Sequence, residues 1–69
     1  KEEALAAAER AVEIEPDNPG AAANMAASLR ALGRRNEALV WVERALALDP
    51  EDRISKLLRT ELLQRTSEG

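Results

Sequence analysis

The groups able to do chemistry in this 69-residue chain are few. There are 13 carboxylates, 10 Lys and Arg side chains, a handful of hydroxyls and one tryptophan, with no His, Cys or Tyr. The commonest acid–base and nucleophilic groups are therefore missing. Ser28, Ser55 and Ser67 have no base to call on except amines and carboxylates expected on solvated faces. Pairs such as Glu9 and Glu13 are i, i+4 neighbours on an exposed helix, the pattern of a solvated surface. The three glycines are isolated, so no phosphate-cradling loop exists. Without thiolates or imidazoles zinc is excluded, and no carboxylate loop resembles a calcium site. The sequence predicts no enzyme and implies no cofactor.

Groups that could recognise a partner remain. Arg30, Arg34 and Arg35 cluster within six positions. The expected role is to complement the negative end of a helix. The alternative is a docking spot for an acidic segment, because Arg presents a planar donor fork. Trp41 has Ala38 at i−3 and Ala45 at i+4 on its own helical face. Its ring is expected to fill the space those alanines leave, with a partner anchor as the alternative. Net charge is −3 with both signs interspersed. Neither the basic stripe nor the stacking aromatics of a nucleic-acid binder are present. No run of about 18 apolar residues could span a membrane, and the absence of Cys leaves the redox compartment open.

Four amphipathic helices must hold these residues. Glu2 to Glu15 carries Leu5, Ala8, Val12 and Glu15 on one stripe, and its early acids suit the positive helix end. Pro16 cannot continue a helix, and Asn18 before Pro19 reads as a cap and first turn. The second helix, from Pro19 to Leu32, repeats apolar residues at Ala22, Met25, Ala26 and Leu29, and Gly33 ends it. Asn36 is expected to cap the third helix, Glu37 to Leu48, antiparallel to the second because about three residues join them. The fourth, Asp52 to Thr66, sets Ile54, Leu57, Leu58, Leu62 and Leu63 against Arg53, Lys56, Arg59 and Arg65, with Ser67 to Gly69 expected to fray. No alternating run predicts a strand.

The stretch EEALAAAERAVEIEP at Glu2–Pro16 recurs as NEALVWVERALALDP at Asn36–Pro50, a shift of 34 residues. A fixed period of that size is the mark of stacked helical repeats. With Ala38 and Ala45 at the small positions, Gly33 in the turn and Pro50 in the link, the pattern resembles the tetratricopeptide repeat. Asn24 and Leu29 match further positions of its first helix. Residues 19–52 match a complete repeat, 2–18 the second half of a preceding one, and 53–66 a covering helix at the end of the array. Ala22 and Ala26 stand where the family has an aromatic and a glycine, and Arg35 replaces an aromatic of the turn.

The resemblance implies an all-α solenoid of antiparallel helix pairs, a non-catalytic module that binds a protein or peptide. The groove-facing residues of the second helix would be Gly20, Ala23, Asn24, Ala27, Arg30 and Ala31, with Arg34 at the turn. Asn24 alone matches a position of the family's carboxylate-clamping members. It is expected to be structural, bonding the backbone of an adjacent repeat. The start at Lys1 without Met reads as an internal start. The first helix has no partner of its own, leaving an edge through which a homodimer or stacking on upstream repeats could form. A further alternative is the accessory region of a larger enzyme.

Overall fold

The computed structural model describes residues 2–68, with side chains for 2–64. Its four helices are α1 (Glu2–Ile14), α2 (Pro19–Ala31), α3 (Arg35–Leu48) and α4 (Arg53–Glu68). No strand occurs among the described residues. Consecutive helices pack on one another, most extensively α2 on α3, and α4 also reaches back to α2. The Cα positions span 36 × 27 × 14 Å, so the thin dimension holds about two helix layers, given Cα cylinders about 4.6 Å across with axes about 8–10 Å apart. Two layers leave every helix partly in solvent.

Local chemistry sets each boundary. Glu15 lies just beyond α1, exposed rather than on the apolar stripe expected of it. Pro16 biases it away from helical geometry, and its carboxylate instead accepts from Asn18 Nδ2 at 2.9 Å. Asn18 caps α2 as its sequence position predicts, in an extended conformation, with Oδ1 accepting from Gly20 N at 2.8 Å. At the other end Gly33 adopts φ 81°. Its N–H donates to the Arg30 carbonyl at 3.0 Å, and that of Arg34 to the Leu29 carbonyl at 2.9 Å. This pair of bonds closes a helix end around a left-handed glycine.

That closure moves the start of the next helix. Asn36 does not cap α3; Arg34 occupies the cap position with no side-chain cap, and its carbonyl accepts from Ala38 N at 3.0 Å. The turn is complete after Gly33, so Asn36 already lies in the first helical turn. Asp52 caps α4. Its carbonyl accepts from Lys56 N at 3.1 Å and its carboxylate from both Ser55 N and the Ser55 hydroxyl. α4 continues to Glu68 rather than stopping at Thr66; Gly69 lies outside the described residues.

The core runs through all four helices: Ala8, Met25, Ala26, Leu29, Ala38, Val42, Leu58 and Leu62, with Leu5, Val12, Leu39 and Leu46 packed on it. Ala26, Ala38, Val42 and Ala45 are fully buried. Alanine here brings backbones together rather than burying large area, so the α2–α3 pair is close and intolerant of added volume. The expected apolar face of α4 is divided. Leu58, Leu62 and Ser55 are buried, but Ile54, Leu57 and Leu63 are exposed. At 100° per residue Ile54 and Leu57 lie beside the buried stripe and Leu63 on its far flank, so three helices cannot cover all five. The charged outer face expected of a covering helix is in fact mixed. Arg65 lies outside the residues whose side chains are described.

Candidate functional site

Two of the candidate residues, Asn24 and Ala27, lie where α1 meets α2. An open groove of about 340 Å³ is lined by Ala4, Ala7, Ala8 and Ala11 of α1 and by Asn24, Ala27 and Ser28 of α2. Its floor is small-residue helix surface, which allows the backbone of an incoming helix or strand to come close. Asn24 is exposed at its rim. The Asn24 amide makes no hydrogen bond to a described residue, and no preceding first helix lies among those residues to test the structural role expected from sequence. Its donors and acceptor therefore face solvent and the groove.

The remaining candidates separate. Ala27 lies in the groove, half-buried. Ala23 does not: it is 3 % exposed, packed with Ala22, Ala45 and Trp41. Neither Arg30 nor Arg34 lines the groove. Arg30 pairs with Glu61 of α4 at 3.2 Å. Arg34 grips Glu37 through two bonds, Nε to Oε1 at 2.8 Å and Nη2 to Oε2 at 2.9 Å. The Arg34 hydrogen bonds hold the Glu37 carboxyl below its ordinary range, and Glu37 in turn raises the Arg34 guanidinium. Two of the three clustered arginines are thus engaged by the chain's own carboxylates. Arg35, half-buried, lines a separate hollow of about 210 Å³ with Arg30, Gly33 and Leu62.

Trp41 is half-buried and touches both apolar clusters, so it packs as the sequence predicts while leaving part of its ring in solvent. The Arg44 guanidinium carbon lies 4.9 Å from the ring centroid, within range for a favourable cation–ring contact. Sequence reasoning placed the groove on α2 alone and missed Ala4, Ala7 and Ala11 as its opposite wall. The 34-residue shift carried the signal. It aligns Ala7 with Trp41, so the ring that fills the α2–α3 junction has no counterpart at α1.

Of the serines, Ser55 lies beside a carboxylate. Ser55 is fully buried and hydrogen-bonded to Asp52, closer to a carboxylate than its sequence surroundings suggest. With no imidazole to relay a proton, the pair acts as a helix cap. No group of acidic, His or Cys residues among those described could hold a metal ion. No helix among them is long and apolar enough to cross a membrane.

Helix order, the 34-residue spacing of equivalent helices and buried alanines at their contacts define a helical repeat protein. A family model of the tetratricopeptide repeat matches residues 2–62, and the chain belongs to that family. No curated protein and no solved structure gives a significant match. Repeats of this family generally mediate protein–protein interaction and are typically not enzymes.

Proposed function

We propose that this chain is a non-catalytic interaction module whose α1–α2 groove takes up a helical segment of a protein. One observation carries the reading. Ala4, Ala7, Ala11 and Ile14 of α1 are the 34-residue counterparts of Ala38, Trp41, Ala45 and Leu48 of α3. Of the α3 set, Ala38, Trp41 and Ala45 pack in the apolar clusters with α2, Ala38 and Ala45 fully buried, while Leu48 is 38 % exposed. On α1, Ala4 and Ala7 are exposed and Ile14 is 73 % exposed. The α1 surface that corresponds to a helix-accepting one on α3 thus meets no first helix among the described residues. Asn24 at the rim would supply orientation through its amide, and Ala27 close approach. Arg30 and Arg34, held by Glu61 and Glu37, would contribute only if those pairs exchanged partners.

A displayed library of helices of about 16 residues, selected on the immobilised chain, tests this. Enriched helices should lose binding to an Ala7→Trp or Ala27→Arg variant and keep it with Val40→Ser, a change on the exposed side of α3. Binders indifferent to both groove variants would overturn the assignment. Self-association through the open face of α1 is a second reading, favoured by the same uncovered stripe.

A further inference from the structure

A further hollow lies where α1 and α3 face each other across α2. It encloses about 370 Å³ and is lined by Glu9, Val12 and Glu13 of α1, Met25 of α2 and Trp41 of α3. At 100° per residue, Glu9, Val12 and Glu13 share one face of α1, roughly opposite the Ala4, Ala7 and Ala11 wall of the groove. Met25 is buried, Val12 and Trp41 are half-buried, and both glutamates are exposed. An apolar floor and an indole wall thus meet a carboxylate rim. We infer that this hollow receives an arginine side chain of a partner protein, its stem on Val12 and Met25 and its guanidinium between Trp41 and the carboxylates of Glu9 and Glu13.

Charge selects this occupant. Neither Glu9 nor Glu13 forms an ion pair with a described residue, Arg10 of the same helix included. The field of Glu9 reaches Arg34, but that guanidinium is held by Glu37 through two bonds. Arg44 lies over the Trp41 ring, its guanidinium carbon 4.9 Å from the centroid. It neither lines the hollow nor pairs with either glutamate. The ring therefore attracts a guanidinium from outside the hollow, where no carboxylate assists. Inside, two carboxylates stand beside it.

The internal repeat shows the same carboxylate position taking an arginine. The 34-residue shift sets Glu9 on Glu43 and Met25 on Arg59. In the later unit Arg59 Nε of α4 lies 3.2 Å from Glu43 Oε2 of α3. In the earlier unit α2 offers the uncharged Met25 instead, and Glu9 keeps an open carboxylate. An exposed ion pair contributes little by itself; here the ring and the apolar floor add to it. Arginine suits these walls better than lysine, because its planar fork can lie on an indole while its edge donates to carboxylates.

This site is separate from the α1–α2 groove, so either can fail alone. Displayed peptides of about ten residues with a fixed central arginine, otherwise varied without Lys, Arg or Trp and selected on the immobilised chain, test it. Trp41 is the one aromatic side chain, so its fluorescence reports occupancy, and enriched peptides should change it saturably. Replacing their arginine by citrulline, which keeps the shape and removes the charge, should weaken binding about tenfold or more. Glu9→Gln and Glu13→Gln, both at exposed positions, should each weaken it about threefold with unchanged helical circular dichroism, and about 0.5 M salt should weaken it further. Ala27→Arg in the groove should leave it unchanged. No enrichment over the same library with a central glutamine would overturn the inference. So would citrulline peptides that bind equally well, or binding indifferent to the double Glu9→Gln, Glu13→Gln variant. Binding that appears only with Arg44→Gln would mean that the chain's own arginine fills the hollow, and would overturn it too.

Discussion

Arg34 and Glu37 meet as a two-pronged pair at the start of α3, with guanidinium to carboxylate distances of 2.8 and 2.9 Å. The fork does the work that a capping side chain would otherwise do at this helix start. Arg34 at the cap position offers no acceptor to the first N–H groups. The carboxylate of Glu37 lies near the helix's positive end, and the guanidinium ties it to the turn.

Because its hydrogen bonds to Arg34 lower the Glu37 carboxyl, the pair has a defined acid dependence. Its stabilisation is present above the ordinary carboxyl range and is lost as pH falls through the lowered folded value. Glu37→Gln should lower the urea midpoint at neutral pH. The difference from the unmodified chain should shrink as pH falls through the lowered carboxyl value and vanish once Glu37 is protonated, when both side chains are neutral. A difference constant from neutral to acid pH would show that the charge contributes nothing.

Gly33 sits at φ 81° with open space where a Cβ would go. Backbone strain alone should therefore set the effect of Gly33→Ala, about 1–2 kcal/mol. Gly33→Asn should cost less, since Asn tolerates the left-handed region. Urea unfolding of the two variants measures the order; equal costs would place the penalty elsewhere.

Ala38 and Ala45 are fully buried where α3 meets α2. Ala38→Leu or Ala45→Leu should destabilise by about 1–3 kcal/mol through overpacking. Ala47→Leu, on the exposed side of α3, should change stability by less than about 0.5 kcal/mol. Thermal unfolding followed by circular dichroism separates them.

Trp41→Ala tests the half-buried ring. A fully buried Trp loses about 3–5 kcal/mol on truncation; with part of its surface in water, Trp41 should lose about 2 kcal/mol. An unmoved urea midpoint would mean that the ring contributes no packing.

The helices and their order were legible in the sequence because the 34-residue echo, the Pro16 and Pro50 links and the Asn18–Pro19 start all act locally. Gly33 as a stop was legible for the same reason. The start of α3 was not, because two backbone bonds around Gly33 complete the turn before Asn36 is reached. α4 read as uniformly two-faced, yet Ile54, Leu57 and Leu63 are exposed. Periodicity gives the width of an apolar stripe but not how many neighbours cover it. The groove was half legible: Asn24 and Ala27 lie in it, while Ala23 is buried. Neighbouring residues on one helix can face two different partners, and only packing decides which. Arg30 found Glu61 across 31 residues, a contact no local pattern announces.

We propose that the α1–α2 groove receives a helix, and amide chemical shifts of the chain, recorded while a selected helix is added, are the test. The shifts should concentrate at Ala4, Ala7, Ala11, Asn24 and Ala27. Shifts confined to Val40 and the outer side of α3, with those groove amides unmoved, would contradict it.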